Sequence, residues 1–250
     1  MATTSPAQPN TAGPVITRPR SGRDRRLYKW ASVFIPLIVL VGFARTYYLK
    51  GLFDTPAIPG LLVHIHGVVM TSWVVLFVTQ VSLVAAGRTR LHRRIGVLGA
   101  VLAAMVVFVG VATGISSAVR GGGPSNLAGL RFLAVPLGDM LVFSILVGIA
   151  LYSRRRIETH RRLMLLATLS VLSAAIARIP LHFIATGGPS AFFGLTDLLV
   201  LGCVAFDTVR NHRLHPAFLW GTMLLIASQP LRFMLADTSI WISWAARLTR

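Results

Sequence analysis

Long apolar runs alternate with short, arginine-rich connections along most of the chain. A helix needs about 20 apolar residues to cross a bilayer core of about 30 Å. Runs of that kind fall at residues 28–48, 61–86, 95–119, 129–153, 162–185, 190–209 and 216–236. The third holds no charged residue, whereas each of the last four carries an ionisable group inside otherwise apolar sequence. The pattern predicts an all-α fold, a polytopic transmembrane bundle of seven helices over residues 28–237. Residues 1–27 are rich in Thr, Pro, Ser, Gly and Arg without apolar periodicity, and read as a disordered basic tail. Residues 238–250 read as a short interfacial C-terminal segment with a helix over 238–248.

Composition supports this class. Only 13% of the 250 residues are charged and the mean hydropathy is +0.71, against about 25% charged in a soluble domain. The formal net charge of +18 does not point to nucleic acid, because the basic residues cluster between apolar runs. Arg18, Arg20, Arg23, Arg25, Arg26 and Lys29 precede the first run. Arg88, Arg90, Arg93 and Arg94 follow the second, Arg154, Arg155, Arg156, Arg161 and Arg162 the fourth, and Arg210 and Arg213 the sixth. The connections on the other side are poor in Lys and Arg. The positive-inside rule therefore puts the N-terminus in the cytoplasm and the C-terminus outside, with anionic headgroups as partners of the cytoplasmic arginines. Cys203, the single cysteine, cannot form an intramolecular disulfide and reads as a small packing residue.

The orientation gathers the ionisable groups at membrane depth into one leaflet. His64 and His66 lie just inside the outer end of the second run, Asp139 in the outer half of the fourth, and Arg178 and His182 toward the outer end of the fifth. Asp197, Gln229 and Arg232 occupy the outer halves of the sixth and seventh. An Asp or Arg at a helix centre costs roughly 2.5–3.5 kcal/mol to insert, so these groups must pair, face the interior or line water. Pro136, Pro180 and Pro230 stand within three residues of Asp139, Arg178 and Arg232, and each frees a backbone carbonyl. Irregular backbone at this depth is tolerated where it is buried in protein or lines a cavity. Together these features point to an outward-facing polar site.

The chemistry of that site stays open at the level of sequence. His64 and His66, two residues apart, point about 200° from each other on a regular helix, so either one faces the bundle and the other points elsewhere, or the segment is non-helical there. One of the two with His182 has the makings of axial ligation to haem b, with Arg178 and Arg232 as propionate partners. Asp139 and Asp197 with the same histidines would suit a divalent metal. A small-solute or proton-coupled transporter, a membrane hydrolase and a scaffold of structural ion pairs are the alternatives. No serine-hydrolase elbow, P-loop or zincin motif is present. Three connections share a design, "RTRLHRRIGVLGA", "RRIETHRRLMLLA" and "VRNHRLHPAFLWG", each with a His among arginines ahead of a helix.

The motifs HIHG at 64–67, LHRRIG at 91–96, THRRLMLLATLS at 159–170, AAIARIP at 174–180, HPAFLWG at 215–221 and SQPLR at 228–232 occur together and in order. In this the chain resembles a family of uncharacterised bacterial multi-pass membrane proteins over roughly residues 40–245. The resemblance implies a bacterial plasma-membrane location and brings no activity, substrate or cofactor with it.

Overall fold

The computed structural model describes residues 25–122 and 129–250. Their regular structure is all helical, with no strand among the described residues. The expected N-terminal tail lies outside them, except that Arg25, Arg26 and Leu27 already belong to the first helix. The helices are α1 (Arg25–Phe43, extended by a wide turn over Ala44–Tyr48), α2 (Leu61–Ala85), α3 (Thr89–Val119), α4 (Ala134–Tyr152), α5 (Ile157–Ser170), α6 (Ser173–Ile176), α7 (His182–Asn211), α8 (Pro216–Ala236) and α9 (Ser239–Leu248). Six of them, with α1 counted through Tyr48, are long and apolar enough to cross a membrane: α1, α2, α3, α4, α7 and α8. The chain thus has the architecture of a multi-pass integral membrane protein.

The expected fifth helix, 162–185, is where the structure departs from the apolar pattern. A helix does begin there, but at Ile157, and it breaks at Val171. Beyond the break the turns tighten, with Leu172, Ala175, Arg178 and Ile179 each donating to the carbonyl three residues earlier. Pro180 has no N–H and cannot continue the ladder. The chain then runs extended through Leu181 and re-enters helix at His182. A second break follows at Gly188, whose φ of 53° and ψ of −135° lie outside the helical region and suit glycine. Buried Pro189 then restarts the helix, within one residue of the start expected at 190. Periodicity could not register the break at Val171, because the sequence around it stays largely apolar, whereas Gly187, Gly188 and Pro189 mark the second one.

α5 is central. Arg162, Leu163 and all of Leu165–Ser170 are buried, and α5 packs against α1, α4, α7 and α8. The α5–α6 chain runs parallel to α1 and alongside it. At one end the Arg161 guanidinium sits 5.4 Å over the Tyr28 ring. At the other, a Cβ on Gly42 would collide with the Ala175 carbonyl, and Arg178 lies 4.9 Å over the Phe43 ring. Between Tyr28 and Phe43 an α-helix rises roughly 22 Å. The α3–α4 contact uses Gly110 and Gly114, which accept the side chains of Met140 and Pro136. At the end of the bundle that holds the α3–α4 connection, α9 folds back. Trp241 Nε1 donates to the Leu130 carbonyl at 2.9 Å, and Trp241 and Ala245 close a small apolar cluster with Ala118, Leu133 and Ala236.

Candidate functional site

Asp139 and Arg232 come together as a sealed pair. Asp139 is in the second turn of α4 and Arg232 is near the end of α8, and both are buried. Arg232 Nη1 donates to Asp139 Oδ1 at 2.5 Å, and its Nη2 donates to Ser228 Oγ at 3.0 Å. Ser173 of α6 lies near the same carboxylate. The guanidinium lies 5.6 Å over Phe193. Gly138 makes room for it, since any Cβ there would run into the Arg232 side chain. Three helices and an aromatic ring thus enclose the charges.

Asp197 has a different partner. Gln229 Nε2 donates to Asp197 Oδ1 at 2.7 Å between α7 and α8. The amide satisfies the acceptor without neutralising its charge.

The histidines separate. His64 is exposed, and its carbonyl accepts from Tyr47 Oη at 3.2 Å. His66 turns inward, and its Nδ1 is buried with no hydrogen-bond partner. The Arg178 guanidinium lies close enough for its charge to act on this imidazole. His182 is exposed at the first residue of α7, and no ring contact or hydrogen bond joins it to His64 or His66. Among the described residues no group of three or more His, Cys, Asp or Glu side chains is placed to hold a metal ion. The structure therefore does not assemble the ligand set expected from His64, His66, His182, Asp139 and Asp197.

Arg178 stands apart from the other arginines at depth. It occupies the linker between α6 and α7, and Nη1 donates to the Ala174 carbonyl at 2.7 Å. The residue is exposed, while its head turns in over Phe43 of α1. It makes no ion pair with an acidic side chain among the described residues.

A second buried charge cluster was missed by sequence reasoning. Arg162, assigned there to the connection after the fourth run, is 2% exposed inside the bundle. Its Nε and Nη2 grip Asp207 Oδ2 and Oδ1 of α7 at 2.9 and 3.1 Å, a two-point pairing of fork to carboxylate. Nη1 reaches Glu158 Oε2 at 2.5 Å, and Phe218 covers the face at 5.7 Å. The Glu158–Arg162 spacing of four residues was a readable signal, as was an Asp within an apolar run.

The shared turn design of the sequence also takes a definite form. His92 and His160 are each the fourth residue of a helix, and each donates its backbone N–H to an Arg carbonyl four residues earlier, both at 3.0 Å. Their rings meet edge to face at 6.5 Å. His215 differs, because it caps α8, with Nδ1 accepting from the Ala217 N–H at 3.1 Å.

No protein-family model matches the chain, and neither the curated proteins nor the solved structures provide a match. The resemblance expected from the sequence motifs stays an expectation.

Proposed function

We propose that the protein is a seven-crossing membrane protein, with its N-terminus cytoplasmic, that binds a small anionic solute at an outward-facing Arg178–His66 site as part of a transport path. One observation carries the reading. Among the described residues Arg178 makes no ion pair with an acidic side chain and its charge reaches His66, whose Nδ1 lacks a hydrogen-bond partner, whereas Arg232 and Arg162 are each neutralised by a buried aspartate. An uncompensated guanidinium at membrane depth is expensive and marks a ligand or ion path. The helices are broken at this place, in the wide turn at Ala44–Tyr48 and the linker at 177–181. Such breaks are tolerated where backbone lines a cavity.

The seventh crossing is α5–α6. From Ile157 to Ile176 it is long enough for about 30 Å of helix, and it runs beside α1 from Tyr28 to Phe43. Seven crossings place all the arginine-rich connections on one side, as the positive-inside rule requires. A bacterial plasma membrane is the location that the sequence motifs imply.

In this reading Arg178 supplies the positive charge and the His66 nitrogen supplies a hydrogen bond or carries a proton. Asp139–Arg232 is the packed floor beneath them. The test is anion uptake into proteoliposomes, with a panel of inorganic and small organic anions. Saturable uptake that Arg178→Gln reduces at least tenfold, with the protein still folded, is the expected result. A Soret absorption band in the purified protein that disappears in His66→Ala would overturn the reading in favour of haem. Uptake unaffected by both substitutions would also overturn it.

A further inference from the structure

A groove of about 530 Å³ runs between α3 and α4, open along its outer side. Ala100, Ala104, Val107 and Val111 line it from α3, and Ser144 and Gly148 from α4. It exists because these residues are small, and a Cβ on Gly148 would meet nothing within 4 Å. From Ala100 to Val111 the groove extends about 16 Å along the helix, the depth of one leaflet of a core of about 30 Å.

Charge marks one end of it. Positions 93, 97, 100, 104, 107 and 111 follow the three-four spacing of a single helix face, which puts Arg93 directly below the groove on α3. On α4 the lining positions 144, 148 and 151 lead to Arg154 and Arg155 at the helix end. All three arginines are exposed, and none makes an ion pair with an acidic side chain among the described residues.

We infer that this groove is a binding site for one anionic diacyl phospholipid of the leaflet on the arginine side. One acyl chain fills the channel between α3 and α4, and Arg93, Arg154 and Arg155 hold the phosphate. Guanidinium groups suit phosphate oxygens by their fork geometry. Charge also argues against a second copy of the chain side by side on this face, because it would bring its own Arg93, Arg154 and Arg155 against the first set.

Native mass spectrometry of the full chain in detergent, titrated with phosphatidylglycerol or phosphatidylcholine, tests the site. Phosphatidylglycerol is expected to bind at least tenfold more tightly. Gly148→Leu, which fills the groove from an open position, is expected to weaken it about tenfold. Combined Arg93→Gln, Arg154→Gln and Arg155→Gln should bring it to the phosphatidylcholine level. The charge-matched set Arg88→Gln, Arg90→Gln and Arg213→Gln should leave it as in the parent. Equal loss in both triple variants would overturn the site in favour of diffuse surface charge. Unchanged lipid binding in Gly148→Leu would overturn it as well, and a dimer mass lost in that variant would then identify a second copy as the occupant.

Discussion

Arg162 and Arg178 lie on the same stretch of chain, one near each end of α5–α6, and their fates are opposite. Arg162 is enclosed by Asp207, Glu158 and the Phe218 ring. Arg178 has a backbone carbonyl, an aromatic face and a histidine without a partner. A buried ion pair is costly to desolvate and is retained where its geometry is satisfied. The contrast teaches that intramembrane charge is informative only after pairing is known. Paired arginines hold helices together, and the unpaired one is chemically available.

The largest effect should come from breaking the sealed side. Asp207→Ala leaves Arg162 buried without its main counter-charge, and removing one partner of a buried pair costs about 3–5 kcal/mol. Unfolding in mixed micelles should show that loss. Replacing both members, Arg162→Met with Asp207→Leu, should recover most of it, since well-packed apolar pairs often match buried ion pairs. No recovery in the double variant would show that the cluster does more than join helices.

Gly138→Ala should come next. The added methyl collides with the Arg232 side chain, and overpacking of this kind costs about 1–3 kcal/mol. The same unfolding measurement checks it, and a stability equal to the parent would mean that the Asp139–Arg232 pair is not as closely enclosed as described.

Arg178→Gln sharpens the comparison from the other side. Its stability should stay within about 1 kcal/mol of the parent, as for a side chain that anchors no buried partner, while anion uptake falls. A loss as large as that of Asp207→Ala would erase the distinction between the two arginines.

The smallest effect is the cap of α8. Burial, and then the charge of Arg162, hold the His215 imidazole below its ordinary value. Its Nδ1 must be unprotonated to accept from Ala217. The folded state therefore binds fewer protons at this site than the unfolded state. The stability contributed by the cap, on the order of 1 kcal/mol, is full above the unfolded value near 6.5. It is lost as pH falls from there toward the folded value. Nitrogen chemical shifts of His215 against pH, with His215→Ala as the control whose stability lacks this dependence, check the sign.

The apolar runs were enough to read most of the fold. The ends of α2 and α8 and the restart at Pro189 fall within about one residue of the pattern, because length, Gly and Pro mark them. The break at Val171 was not legible, since no Gly or Pro marks it and the close approach of α6 to Gly42 of α1 that follows it is a tertiary contact. The site was legible as a layer but not as a set of contacts. Asp139, Arg178, Asp197 and Arg232 were visible as charges in apolar sequence, yet which of them pair is a property of helix rotation. Arg162 was hidden among the connecting arginines, and Asp207 drew no notice near the end of its apolar run.

Accessibility tests the central claim most directly. In a Cys203→Ser background, Arg178→Cys and Ser228→Cys would be treated in intact cells with a membrane-impermeant maleimide. Position 178 should label fully from outside, and position 228, beside the enclosed Arg232, should remain unlabelled. Labelling of 228 with 178 protected, or of 178 only after the cells are opened, would contradict the outward-facing site.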